Sequence, residues 1–562
     1  MISGPQWLRN APRAAANGMP SGTVGILAIV AAAAMAGTAA VLTLAYPIHG
    51  DVRYELGATA VSPVGPAQTF THRPLLHRLA IEILAAPANW LTDDLASFEF
   101  ALRVTAVVLA AAAAAVLWRG LRRPDTADYA GPVTVAVFVA LTLMNPGFTL
   151  EPDWLAVVLT VFGTGVALMP GSRWLTGTAG GVVLAAAAAT KVVTLPIALI
   201  GVVVLLMCDR RRALPAVLGA GVALLAYISV VGVVLPVEFR WMLDMQALQP
   251  ELNSPSTFAR RVAGYAANVV VMWPVLALVP AALVGASRRA TVAVVGGLLL
   301  ACVPILIQGQ FFAYHAAALP VIGAAVVTAG LGAGLGWLVV PMIAMVGWTA
   351  WMMALPASQR ADHLWLWVAV VTLFGAACWL VRWRLARSPR TADALPPSKA
   401  EAERWFAAAL VSATFLGVAL PSSAESVTLS GTKDRSWRTA EERRDKMAQV
   451  AEQVREVTGP TDSVSYLTYG EWPYFIANPA TCRYVSPVFL QRGRTRQAAR
   501  QTESWQENLE CLSDTPGDWL VRDTRWFSLK GQSKAVLAAI ETSFDCSRRT
   551  KAGHLEICPR RD

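Results

Sequence analysis

The chain alternates between long apolar runs and short polar stretches, and the runs set its architecture before any single residue does. Windows rich in Ala, Val, Leu and Ile recur near residues 23–46, 100–118, 131–145, 154–170, 174–190, 192–208, 214–236, 267–286, 290–308, 314–331, 335–355, 363–381 and 405–420. Each approaches the roughly 20 apolar residues that a helix needs to cross a bilayer. Thirteen spans are therefore expected, in a mostly α, polytopic transmembrane bundle. The pattern changes in two places. From Pro74 to about Leu91 the apolar residues keep helical spacing but are interrupted by His77, Arg78 and Glu82, as in an amphipathic helix lying at the membrane surface. Beyond about Glu425 the apolar runs stop. Residues 440–457 read there as an amphipathic helix ended by Gly459-Pro460, and 464–469 as a strand; further short strands are expected near 484–490 and 518–522, and a helix near 533–543. A small α/β or α+β domain results.

Composition agrees: 55% of residues are hydrophobic and 15% charged, against about 25% charged in soluble domains. The arginines then orient the bundle. Arg9 and Arg13 precede the first span. Arg119, Arg122 and Arg123 follow the second, Arg173 the fourth, Arg210, Arg211 and Arg212 the sixth, Arg288 and Arg289 the eighth, and Arg382, Arg384, Arg387 and Arg390 the twelfth. All fall on one side, which the positive-inside rule makes cytoplasmic. The expected plan is a cytoplasmic tail (1–22), a membrane domain (23–423) with outer loops 47–99, 146–153 and 237–266, and an extracytoplasmic domain (424–562) at the plasma membrane. The formal charge of +10 is then met by anionic lipid at the inner loops, with no nucleic-acid partner. The first run is too long for a signal peptide and lacks a cleavage site.

Cysteine usage points the same way. Cys208, Cys302 and Cys378 sit in or beside apolar runs, whereas Cys482, Cys511, Cys546 and Cys558 all lie in the tail, an even number suited to an oxidising compartment. Three pairings are possible. Cys482 with Cys511 and Cys546 with Cys558 needs the least chain crossing. No CxxC pair supports zinc.

Candidate chemistry gathers at the outer ends of the runs. Asp51 follows the first span beside Gly50, and Glu151-Pro152-Asp153 lies between two others. Carboxylates near hydrocarbon are expensive and therefore functional candidates. The plain alternatives are that Asp51 caps a helix or pairs with Arg53, and that a helix N-terminus holds one of the two acids. Lys191, in Ala189-Thr190-Lys191-Val192, either snorkels to the interface or presents a point charge to a phosphate. Tyr314 and His315 follow Gln308-Gly309-Gln310-Phe311-Phe312-Ala313 at another outer boundary. His72 and Arg73 lie in the long first loop and Arg240 in the loop at 237–266.

Taken together, these features resemble the GT-C superfamily of polytopic glycosyltransferases. The carriers are an acid after the first span in a long loop with a juxtamembrane helix, the Glu151/Asp153 pair, Lys191 after an Ala-rich span, the segment QGQFFAYHAAALP, and an outer domain with Thr458-Gly459-Pro460-Thr461-Asp462-Ser463-Val464. The resemblance implies transfer of a sugar, arabinofuranose or mannose, from a polyprenyl-phosphate donor to a cell-envelope glycan or lipid at the outer face, by inverting displacement. It implies Asp51 as general base and Lys191 as the phosphate ligand, with His315, Tyr314, His72, Arg73 or Arg240 beside it. Glu151 and Asp153 would bind sugar or a divalent cation (Mg, Mn or Ca) through oxygen ligands. Five tail aromatics, Trp472, Tyr474, Trp505, Trp519 and Trp526, are either core or sugar platforms. The rival class is a transporter or flippase of a lipid-linked precursor. Transporters collect polar groups near the midplane, whereas these acids lie at the ends of runs.

Overall fold

The computed structural model describes residues 23–92, 94–123, 126–144, 148–248, 255–308, 311–331, 338–387, 397–420 and 437–561. The tail with Arg9 and Arg13, the 145–147 and 309–310 turns, Arg390, and the approach to the outer domain at 421–436 lie outside them.

Each of the thirteen apolar windows has a helical counterpart. Among the described residues, seven helices are long and apolar enough to cross a membrane: Thr23–Ala45, Leu95–Leu121, Arg210–Val234, Arg288–Gln308, Tyr314–Leu331, Leu364–Arg387 and Ala400–Ala419. Ala127–Leu143, Pro152–Leu168, Val192–Cys208 and Val339–Ala354 are shorter apolar helices, and Arg173–Ala189 is a helix of 17 residues whose first turns are more polar. The window at 267–286 departs from expectation. It is two pieces, Phe258–Met272 and Pro274–Ala282, bent by 89°. Pro274 supplies no N–H and its ring disfavours helical geometry in the residue before it, and Trp273 is held at φ −127°, ψ 72°. The Trp273 indole N–H donates to the Met144 carbonyl at 2.8 Å and fixes the corner. The mostly α architecture is that of an integral membrane protein.

The chain divides into two compact units, and the division does not follow the linear boundary at 424. One unit comprises Met1–Pro47, Leu91–Leu224 and Leu252–Thr439; the other comprises Ile48–Trp90, Leu225–Glu251 and Ala440–Asp562. The loop expected at 237–266 is largely helical, as Pro236–Asp244 and Pro255–Met272.

In the first unit the helices meet through small residues. A Cβ on Gly180 would lie 2.5 Å from the Gly163 carbonyl oxygen, and one on Gly181 would lie 2.1 Å from that of Ala216. Close backbone approach of this kind is what Gly-rich spans supply in place of a hydrophobic driving force. Arg212, expected to face lipid, is instead buried. Its guanidinium donates to the carbonyls of Ala167 (2.9 Å), Met169 (2.5 Å) and Gly171 (3.2 Å) and pairs with Asp209 at 3.1 Å. The C-terminal carbonyls of a helix need partners, and this arginine satisfies them.

In the second unit a mixed sheet runs in the order β1-β2-β4-β3: β1 (Val464–Leu467) lies parallel to β2 (Trp519–Asp523), and β4 (Leu555–Pro559) runs antiparallel to β2 and to β3 (Thr550–Ala552). Helices Trp437–Thr458 and Lys534–Ser543 form as expected. The strand expected at 484–490 does not: Val485 and Ser486 lie in a bend, and helix Val488–Gly493 begins after Pro487. All seven side chains from Tyr484 to Leu490 are buried, so the run carried no period by which strand and helix differ. Helix Glu503–Asp514 was not anticipated, although Thr502 caps it by accepting from the Trp505 N–H at 3.1 Å. Disulfides join Cys482 to Cys511 and Cys546 to Cys558, with Cα atoms 5.9 and 4.8 Å apart.

Helix Leu75–Leu91 is amphipathic, with His77 and Arg78 buried and Ile83, Trp90 and Leu91 exposed. Arg78 pairs with Glu238 at 2.7 Å and also donates to the Arg73 carbonyl at 2.7 Å. Helix Gly50–Val61 packs so closely on helix Trp472–Ile476 that a Cβ on Gly57 would lie 2.3 Å from the Tyr474 backbone nitrogen. Gly57→Ala is expected to destabilise this unit by about 1–3 kcal/mol, read as a lower melting temperature in the full-length protein. Gly37→Ala, where nothing lies within 4 Å, is its neutral control.

Candidate active site

The sequence-selected residues fall into two sets, one in each unit. In the second unit, Asp51 sits in the first turn of helix Gly50–Val61. His49 caps that helix, its Nδ1 accepting from the Asp51 N–H at 3.3 Å. The loop carrying His72 and Arg73 returns to the same turn. Arg73 donates from a terminal nitrogen to Asp51 Oδ2 at 2.6 Å, and His72 Nε2 lies 3.8 Å from that oxygen. Arg73 is buried and its own N–H is held by Thr71 Oγ1 at 3.2 Å. Burial alone would raise the Asp51 carboxyl, but Arg73, with His72 and His49, outweighs it and holds the group well below the usual carboxylate range.

Arg53 is not the partner of Asp51. Two residues further along the helix, it pairs with Glu471 at 2.8 Å and lies over the Phe475 ring at 5.5 Å. Glu55 on the same helix faces His77 at 2.9 Å, both fully buried. Arg240 is committed elsewhere. It pairs with Glu503 at 3.2 Å and with Glu507, which also accepts from the Tyr484 hydroxyl at 3.0 Å. This brace ties helix Pro236–Asp244 to helix Glu503–Asp514 and removes Arg240 from the candidate anion ligands.

In the first unit, Asp153 occupies the first turn of helix Pro152–Leu168 with Glu151 at its N-cap, both at 0% exposure. Pro152 at the first helical position suits a helix start. The preceding Leu150 takes a φ of 74°, a conformation uncommon outside Gly. This reversal immediately precedes the two buried acids, which flank Pro152, and nothing in the sequence marks it. Lys191 begins the short turn Val192–Thr194, and its Nζ donates to Asp153 Oδ2 at 3.1 Å. His315 Nδ1 lies 3.4 Å from the same oxygen and 3.2 Å from the Gln308 side-chain amide. Tyr314 packs edge-on to His315 with ring centres 4.3 Å apart, and the Lys191 ammonium lies 5.7 Å from the Tyr314 ring centre. Phe148 closes the other side of Tyr314 at 4.9 Å. Asp153 Oδ1 is buried with no hydrogen-bond partner among the described residues.

Lys191, Tyr314, His315 and Asp153 are therefore brought together from three separate stretches of chain. Lys191 retains 17% side-chain exposure, whereas Asp153 retains none. On Asp153 Oδ2, which Lys191 and His315 already face, a divalent cation would compete with the ammonium.

No protein-family model matches the chain, and no curated protein matches it. Among solved structures, the crystal structure of ArnT from Cupriavidus metallidurans bound to undecaprenyl phosphate is similar over 96% of this chain and 98% of its own, with a TM-score of 0.52 at 14% sequence identity. At that identity the likeness is one of fold.

Proposed function

We propose that the protein is a membrane glycosyltransferase that moves a sugar from a polyprenyl-phosphate donor to a cell-envelope glycan or glycolipid at the outer leaflet, arabinofuranose and mannose being the leading sugars. The observation that carries this reading is the end-to-end likeness of fold to ArnT, whose crystal structure holds undecaprenyl phosphate. The partly exposed Lys191 beside His315 and Tyr314 supports it, since a compact ammonium suits a phosphate.

In the reaction, an acceptor hydroxyl oxygen attacks the anomeric carbon, the bond from that carbon to the phosphate oxygen breaks, and the electron pair leaves with the polyprenyl phosphate. Asp51 takes the hydroxyl proton. A carboxylate held ionised by Arg73 is a weak base. That suits a displacement in which the leaving group departs early, because the acceptor oxygen becomes acidic only as its new bond forms. Lys191, with Tyr314 and His315, meets the charge developing on the phosphate. His72 and Arg73 bear on Asp51 directly, Glu151 contributes to sugar binding, and no step is routed through a metal. The amino terminus lies in the cytoplasm and the carboxyl-terminal segment outside, a reading the arginine-rich loops support.

The test uses full-length protein in lipid nanodiscs with polyprenyl-phosphate arabinofuranose and polyprenyl-phosphate mannose as donors and arabinan and mannan oligosaccharides as acceptors. Transfer from one of them, with inversion at the anomeric carbon, is expected. A folded protein that turns over neither donor, yet moves a lipid-linked precursor across sealed vesicles, would establish the transporter in its place.

A further inference from the structure

A stacked series of aromatic rings leads away from the Asp51 group within the second unit. His72, whose Nε2 lies 3.8 Å from Asp51 Oδ2, stacks on the buried Tyr54 with ring centres 5.1 Å apart and planes 7° from parallel. Tyr54 meets Tyr469 at 5.4 Å, and Tyr469 stacks on Trp526 at 5.4 Å and 21°. Tyr54 is sealed in the interior, whereas Tyr469 and Trp526 are partly exposed.

The series ends where ligands are commonly held. Tyr469 and Trp526 lie on the loops that leave the carboxyl ends of the parallel strands β1 and β2, the end of a parallel pair where open α/β sheets bind ligands. The Trp526 loop is built to be rigid. Asp523 Oδ1 accepts from the backbone N–H groups of Arg525 (2.9 Å) and Trp526 (3.3 Å), while its Oδ2 accepts from the Trp472 indole at 3.2 Å and lies 3.4 Å from His554 Nε2. Trp472 and Trp505 are buried core and make no such surface. Thus two aromatic residues are partly exposed at the edge of the domain core and joined by a series of packed rings to the acid that the proposed reaction uses as base.

We propose that Trp526 and Tyr469 form a carbohydrate subsite that stacks on the apolar face of a sugar ring of the acceptor glycan. This rests on the glycosyltransferase reading and adds to it a polymeric acceptor, one sugar of which is held away from the reacting hydroxyl. Aromatic rings suit this because a pyranose or furanose presents C–H bonds on one face and hydroxyls on its rim. The ring series makes the loop a continuation of the Asp51 group.

The test measures binding of arabinan and mannan oligosaccharides of defined length to the full-length protein, and separately of undecaprenyl phosphate. Trp526→Ala is expected to weaken oligosaccharide binding by roughly tenfold or more and to raise the acceptor KM by a like factor, with undecaprenyl phosphate binding unchanged. Trp526→Phe, which keeps a ring, should recover most of the loss, and an unchanged melting temperature excludes unfolding. Oligosaccharide binding insensitive to Trp526→Ala overturns the subsite while leaving the transferase standing. So does a wild-type protein that transfers sugar without measurable oligosaccharide binding. Failure of the transferase reading itself shows differently, as absence of donor turnover.

Discussion

Asp51→Asn is expected to lower the rate of sugar transfer by about 10²–10⁴-fold, the range that general-base catalysis contributes, while undecaprenyl phosphate binding stays close to wild type. Asn preserves the shape and one hydrogen-bond acceptor for Arg73 but cannot take a proton, so the loss should fall on turnover and not on donor affinity. Arg73 provides the second arm of the same experiment. Because its guanidinium, with the two histidines, outweighs burial and holds the Asp51 carboxyl low, the wild-type acid stays charged throughout the neutral and mildly acidic range. No fall in activity that originates at Asp51 should appear there. Arg73→Met removes the largest lowering influence and leaves burial unopposed by it, so the acid limb of the pH–rate profile should move upward. The same sign governs stability. A carboxyl lowered on folding stabilises the protein above its unfolded value of about 3.9, and that contribution is lost as pH falls through the lower folded value. An acid limb that stays put in Arg73→Met, with transfer by Asp51→Asn within threefold of wild type, would remove Asp51 from the chemistry.

The membrane helices were legible because their signal is a property of sequence alone. Apolar run length reports a bilayer's thickness whatever the packing, and all thirteen windows became helices. The break at Trp273-Pro274 was legible in principle, since Pro274 stands in the middle of the window; the run of apolar neighbours on both sides hid it. The outer domain was harder. Helix Lys534–Ser543 declares its period, whereas 484–490 is buried on every side and Thr550–Ala552 is three residues long, too short for a period to exist.

Of the candidate site, the identities were readable and the partnerships were not. Asp51 stands two residues from Arg53 and twenty-two from Arg73, yet Arg73 is its partner. In a helix, residues two apart point to different sides, so the nearer arginine is carried away to Glu471. Arg240 looked like a free outer cation, but two glutamates on helix Glu503–Asp514 claim it, and that helix went unseen. Tyr54, Tyr469 and Glu471 carried no signal, because a lone aromatic or acid in a polar stretch is ordinary until tertiary contacts give it neighbours. Leu150 is the extreme case: only the backbone angle reveals what it does for Glu151 and Asp153.

Lys191→Met should reduce kcat/KM for the lipid-linked donor by about 10²–10³-fold, the usual cost of losing one group that meets developing negative charge, and should weaken undecaprenyl phosphate binding as well. A single substitution leaves a doubt of interpretation, since Lys191 also pairs with the fully buried Asp153, and removing one member of a buried pair strands the other charge. The double variant resolves it. In Lys191→Met with Asp153→Asn, no uncompensated carboxylate remains, so any loss that came from the stranded acid is repaired. If Lys191 serves only to balance Asp153, transfer returns in the double variant and the two effects cancel. If Lys191 holds the phosphate, the protein regains its melting temperature but not its activity or its affinity for undecaprenyl phosphate. The separation of those readouts follows from the arrangement: Asp153, reached by Lys191 and His315 on one oxygen, keeps the ammonium in place, and the ammonium meets the phosphate.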